Sequence, residues 1–220
     1  MAETKLSTRV YRELVTRILD GRLPIGSAVS ELALSRELGV SRTPVHLAVR
    51  DLMKDGLITQ EGNKRPLVAR FDHDFVANLF QMRLLLETEA TRLAAQRIDR
   101  ITLQELRQGL KKLDEDIPAE KLYRRWADYD IHFHKTLAWA CGNALLCQDI
   151  IRYQTVHQVL IRRFIGPEFR QGYNEHQGIL DALDWRNSGE AAQRMADHIN
   201  EWKTFFCQRV AEEQDRRDRL

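Results

Sequence analysis

The spacing of apolar residues changes once along this chain, and the change divides it. Between Ser7 and Asp20 the apolar positions are Val10, Leu14, Val15, Ile18 and Leu19, one face of a helix, and Gly21 closes the run. Ser30 to Leu38 makes a shorter amphipathic segment ending on Gly39, where a helix favours a residue that tolerates positive φ. Ser41 is then an N-cap, and Pro44 sits in the first turn of a new helix with Val45, Val49, Leu52 and Met53 as its buried stripe. Gly56 stops that helix. Two short β-like runs follow, Leu57-Ile58-Thr59 and Leu67-Val68-Ala69, around a Gly62-Asn63-Lys64-Arg65 tip, which is a hairpin signature. From Phe71 the strand signals cease. Helical patterns predict six helices, at about 74–97, 102–115, 119–140, 143–165, 168–186 and 188–213, with ends good to about two to four residues. The expected fold is therefore mainly α. An N-terminal winged helix-turn-helix domain covers residues 1–70, and an all-α antiparallel helical bundle covers 71–220.

Charge follows the same division. Residues 1–70 hold 12 Lys/Arg against 8 Asp/Glu, a net +4, whereas the rest holds 22 against 24, a net −2. A mildly basic head on a neutral body is compatible with a DNA-binding segment and does not establish one. No apolar run approaches the roughly 20 residues of a membrane span. The opening MAETKLSTRV lacks the apolar centre of a signal peptide, and Cys141, Cys147 and Cys207 show no CxxC spacing. The expectation is a cytoplasmic protein with reduced thiols.

Candidate chemistry lies in two places. The polar face of the helix after Gly39 begins with Ser41, Arg42, Thr43 and His46. Hydroxyls, a guanidinium and an imidazole at a helix N-terminus are the groups that reach phosphates and base edges in a major groove. Lys64 and Arg65 at the hairpin tip can reach backbone phosphates or the minor groove. In the bundle, Asp130 and His134 are spaced i, i+4 and share a helix face. His176 and His198 lie eleven residues before and after Asn187, the centre of the turn between the last two helices. At a rise of 1.5 Å per residue both stand about 16 Å from that turn, at one level of an antiparallel hairpin. Three imidazoles and a carboxylate suit Zn²⁺, Ni²⁺ or another divalent first-row ion. His46, His73, His132 and His157 are histidines outside this set. Arg83, within the apolar run Leu79 to Leu86, either faces the interior to meet an anion or pairs with Glu87 on the surface. Arg162 and Arg163 are weaker candidates, of which one could point inward.

The run Leu38-Gly39-Val40-Ser41-Arg42-Thr43-Pro44-Val45, with Ser30-Glu31 before it and Gly56-Leu57-Ile58 after it, closely resembles the DNA-binding motif of GntR-type bacterial transcription regulators. Arg42 matches a base contact of that family. The chain departs from the family pattern at Leu32 and His46-Leu47, where the family has an arginine and an Arg-Glu pair, and at Arg65, where a glycine is common. Asp130-Ile131-His132-Phe133-His134-Lys135-Thr136-Leu137, Glu175-His176-Gln177-Gly178-Ile179 and Met195-Ala196-Asp197-His198 resemble the signature blocks of the FCD effector domain in the FadR-like branch. Six helices resemble its shorter, VanR-like subtype. The resemblance implies a single divalent metal, zinc or nickel, held by Asp130, His134, His176 and His198. It also implies an effector-contacting arginine at Arg83. The expected function is a metabolite-responsive DNA-binding transcription regulator, a repressor. It would act as a homodimer on double-stranded operator DNA, respond to a small organic acid, and have no membrane partner. Two alternatives stay open: a metal-dependent hydrolase using the Asp/His site, and a DNA-binding regulator whose metal is purely structural.

Overall fold

A computed structural model describes residues 2–114 and 118–219. Its contacts divide the chain into two compact units, Met1–Arg70 and Phe71–Leu220.

In the first unit α1 (Ala2–Leu19) and α2 (Glu31–Leu38) pack on α3 (Arg42–Lys54). The apolar stripe of α1 closes over Val45, Ala48, Val49 and Leu52, all buried. Met53 is only half-buried, one position off that stripe. The helix α1 begins five residues earlier than the periodicity indicates. Gly39 caps α2 in the left-handed region at φ 63°, which sets the tight turn into α3. Strands β1 (Ile58–Thr59) and β2 (Leu67–Val68) pair antiparallel, Ile58 opposite Val68, and Ala28 bridges to Leu67. Ile58 and Val68 turn into the core, leaving the tip exposed.

The second unit holds α4 (His73–Arg97), α5 (Arg100–Lys111), α6 (Ala119–Ala140), α7 (Ala144–Phe164), α8 (Phe169–Asp184) and α9 (Ser188–Asp218). Side-chain caps start three of them: Asp72 accepts from Phe75 N–H, Asp99 from Thr102 N–H, and Asn143 from Leu145 and Leu146 N–H. A 3-10 turn, Lys112–Asp114, finishes α5. The predicted break at Asp116-Ile117 lies outside the described residues. The helix α9 runs five residues beyond its predicted end. The principal packing partner of α9 is α4, while α6 packs on α7 and α8 on α9. Among the described residues, no helix is long and apolar enough to cross a membrane. The mainly α architecture agrees with the sequence pattern.

Candidate metal centre and DNA-reading face

Three helices of the bundle bring four polar residues to one buried place. Asp130 and His134 come from α6, His176 from α8 and His198 from α9, each at most 3 % exposed. One ligand atom from each lies within 4.8 Å of the others. His134 Nε2 is 3.2 Å from His198 Nε2, and Asp130 Oδ1 is 3.7 Å from His134 Nε2 and 3.5 Å from His176 Nε2. Equal distances from the Asn187 turn do level the last two histidines, with ring centroids 4.8 Å apart.

Each ring is aimed by a different means. The ring of His198 is aimed by Glu175, which sits 2.7 Å from Nδ1 and is itself held by Trp202 Nε1–H and Gln171. His176 has no hydrogen-bond partner at either ring nitrogen. Stacking holds it instead: the Phe133 ring lies 4.0 Å away and nearly parallel, and Trp126 and Tyr129 close the other sides. Gly172, one turn before His176 on α8, makes room for that wall. A Cβ there would lie 2.6 Å from the Trp126 ring and 3.0 Å from that of Trp202.

The donor set fits a divalent ion. A buried imidazole with two unpartnered nitrogens is costly unless something outside the chain satisfies it. Two Nε2 atoms 3.2 Å apart cannot both present lone pairs to each other, whereas both can present them to a shared cation. Burial pushes the His176 imidazolium well below its ordinary pKa and lowers that of His198, favouring the neutral ligating form. Burial alone would raise the Asp130 carboxyl. The charge of His134, with His157 and His176, overrides it and holds the group well below the usual carboxylate range.

Three residues join this site that the spacing argument missed. Glu87 reaches within 2.5 Å of His134 Nδ1, although off the axis of a ring N–H. Gln154 donates to both oxygens of Glu87. His157, grouped with the unrelated histidines on sequence alone, is buried with Nε2 3.5 Å from Asp130 Oδ2. Burial, with the Arg83 charge nearby, pulls its pKa down to about 4. One signal could have found Glu87: its i, i+4 spacing from Arg83 in an otherwise apolar stretch.

The arginine candidates separate. Arg83 faces inward, 2 % exposed, and its Nε donates to Glu87 Oε1 at 2.7 Å in an ion pair that is itself buried. The two readings of Arg83 are thus both partly realised: inward, and paired with Glu87. Among the described residues neither terminal nitrogen of Arg83 has a hydrogen-bond acceptor. Neither Arg162 nor Arg163 points inward. Both are exposed near the end of α7, Arg162 paired with Asp128 at 2.6 Å and Arg163 with Glu213. Two charges so close to a helix end are stabilised better by surface carboxylates than by a core already holding one cation.

In the first unit, Ser41, Arg42, Thr43 and His46 are all exposed at the start of α3. The Ser41 side chain makes no capping bond and is left available. His46 Nδ1 lies 2.9 Å from Glu31 on α2, and Lys64 Nζ 2.9 Å from Glu61, contacts between exposed groups that water and salt weaken. Arg65 is exposed on the hairpin.

The model of the bacterial regulatory proteins of the gntR family matches residues 6–68, and that of the FCD domain matches residues 78–201. The chain belongs to the GntR family. A probable D-xylose utilization operon transcriptional repressor of Paenarthrobacter nicotinovorans is 31 % identical over 202 residues, covering 90 % of this chain and 88 % of that protein. The Nta operon transcriptional regulator of Aminobacter aminovorans is 28 % identical, covering 79 % of this chain and 81 % of that protein. The E. coli McbR/YncC structure superposes with a TM-score of 0.76 at 19 % identity, over 93 % of this chain and 98 % of that one, a likeness of fold. This GntR regulator is a DNA-binding protein of transcription and not an enzyme, so the hydrolase alternative is set aside.

Proposed function

We propose that this GntR regulator is a metabolite-responsive repressor. Its Asp130, His134, His176 and His198 would hold one divalent ion, zinc or nickel, beside a pocket for a small carboxylate. The observation that carries the reading is the unpartnered, fully buried His176 ring facing Asp130 and two other imidazoles. A bound ion supplies positive charge that a single aspartate does not cancel, which attracts an oxyanion. The fork of Arg83, free at its terminal nitrogens among the described residues, would grip a carboxylate from a second side. A gluconate operon repressor of Bacillus subtilis, 25 % identical over 184 residues, is named for a sugar-acid operon and supports the same chemical class.

In the head, Arg42 would read a base edge, Ser41, Thr43 and His46 would meet the groove and its phosphates, and Lys64 and Arg65 would contact the backbone. One recognition helix reads only a few base pairs, so a homodimer on a pseudo-palindromic operator is the matching assembly. The site of action would be the cytoplasm. The test is a thermal-shift panel of sugar acids, hydroxy acids and dicarboxylates with metal present and absent, since a ligand that binds only the folded state raises the melting temperature. A carboxylate is expected to shift the parent protein and to alter its operator gel shift, and Arg83→Ala is expected to abolish both. A neutral ligand binding best, or Arg83→Ala responding like the parent, would overturn the carboxylate pocket.

A second reading is favoured by the depth of the cluster, at most 3 % exposed at each ligand: the ion would be purely structural. Chelation that unfolds the body while leaving ligand response unaltered in the remaining folded protein would support it.

A further inference from the structure

An imidazole can offer only one of its nitrogens to an ion in a given orientation, and the partner of the other nitrogen decides which. His198 has Glu175 at Nδ1, and His176 is set by stacking on Phe133. For His134 the neighbour at Nδ1 is Glu87, a carboxylate on a different helix and outside the four-residue set.

Glu87 is unusual in how completely it is held. It is 2 % exposed. Its Oε1 accepts from Arg83 Nε at 2.7 Å, its Oε2 stands 2.5 Å from His134 Nδ1, and Gln154 Nε2 spans both oxygens at 2.9 and 3.0 Å. Arg83 is on the same helix one turn away, and Gln154 is on α7. Three contacts from three helices thus fix the plane of one carboxylate. Water cannot replace any of them at this depth. The arrangement leaves His134 Nε2 as the nitrogen facing His198 and Asp130.

We propose that Glu87 is a positioning residue of the metal centre. Held in place by Arg83 and Gln154, it takes the Nδ1–H of His134 and so commits Nε2 to the ion. The inference rests on the metal reading given above. It adds that the guanidinium expected to meet an effector is joined to a metal-ligating ring through a single carboxylate. A small rotation of the imidazole brings Nδ1–H onto Oε2, which the 2.5 Å separation already allows.

Two measurements test it. The first uses unaltered protein loaded with Zn²⁺ and labelled with ¹⁵N. Long-range ¹H–¹⁵N spectra are expected to show His134 with a protonated Nδ1 and a metal-bound Nε2. A metal-bound Nδ1 would overturn the proposal, and this needs no variant to fold. The second titrates Co²⁺ into parent, Glu87→Gln and Glu87→Asp. Loss of a carboxylate that orients a ligand costs about 10–100-fold in metal affinity, so Glu87→Gln is expected to bind Co²⁺ weaker by about that factor, with an altered visible absorption spectrum. Glu87→Asp, which keeps the charge, is expected to recover part of the affinity. A role in packing alone would lower the melting temperature and leave the Co²⁺ spectrum as in the parent, and that result would also sink the proposal. If the parent itself takes up no Co²⁺ or Zn²⁺, the metal reading fails first. If the parent binds and Glu87→Gln binds equally well with the same spectrum, the role given to Glu87 alone fails.

Discussion

The two units keep their polar chemistry in opposite places. In the head, Ser41, Arg42, Thr43, His46, Lys64 and Arg65 are exposed, and the contacts that engage His46 and Lys64 are surface pairs. In the body, Asp130, His134, His176, His198, Glu87, Gln154 and Arg83 are buried and joined into a network. The difference follows from what each has to meet. A duplex is too large to enter a protein, so its readers must stand outside and remain free to exchange water for phosphate. A cation or small anion is held tightly only where desolvated groups are fixed in advance, and that requires several helices to agree on one point.

Removing a body residue is the strongest way to probe this contrast. His176→Ala is expected to eliminate the bound ion, as measured by elemental analysis of purified protein, because it removes one of the four ligand groups of the cluster. Full metal content in the variant would show that the cluster is not the site. Operator affinity without ligand is expected to stay within about twofold if the two chemistries are separable.

Acid should distinguish the regions next. The folded pKa of His157 is about 4 against an ordinary 6.5. Between those values the unfolded chain takes up a proton that the folded body refuses. Stability therefore falls as pH drops from 6.5 toward 4. For Glu87 the buried carboxyl would rise, but Arg83 and His134 bring it down to about 2, so its contribution is present above 4.5 and is lost below that as pH falls toward 2. Chelator-treated protein unfolded in urea across this range is expected to show the loss in the body. Near-UV circular dichroism suits this measurement, because Trp126, Trp139, Trp185 and Trp202 all lie beyond residue 70. A body whose stability is flat from pH 7 to 4 would contradict the buried neutral histidine.

The smallest effects belong to the head. Arg42→Ala is expected to weaken specific operator binding by about 1–3 kcal/mol, and Lys64→Ala to weaken all DNA binding and flatten the salt slope by about one. Gel shifts at several salt concentrations read both. An intact operator affinity in Arg42→Ala would break the assignment of α3 as the reader.

How far each region could be read from sequence tracks the same contrast. The head's elements are local: Gly39, Ser41 and Pro44 mark a turn and a helix start within six residues, and the structure has the turn and helix there. The level of His176 and His198 was legible because one short turn joins their helices. Glu87 was legible only as the i, i+4 partner of Arg83, and Gln154 and His157 not at all, since each reaches the cluster from a helix whose packing on α6 no local spacing records. Arg162 and Arg163 misled because proximity in sequence to a functional helix says nothing of which side faces in. The exposed Asp128 and the half-buried Glu213 that hold them lie 34 and 50 residues away.

Gly172 carries a consequence for anyone who maps this protein by exhaustive substitution. The position has no side chain, touches no ion and donates nothing, yet its emptiness lets two indoles close against α8 beside His176. In a survey scored by gene repression it would rank with the histidines, and a reader of that survey would assign it to the ligand pocket. Scored instead by the amount of folded protein in the cell, Gly172→Ala would be depleted and His176→Ala far less so. Intolerance to change at this point marks a volume that must stay vacant for the wall of rings to form.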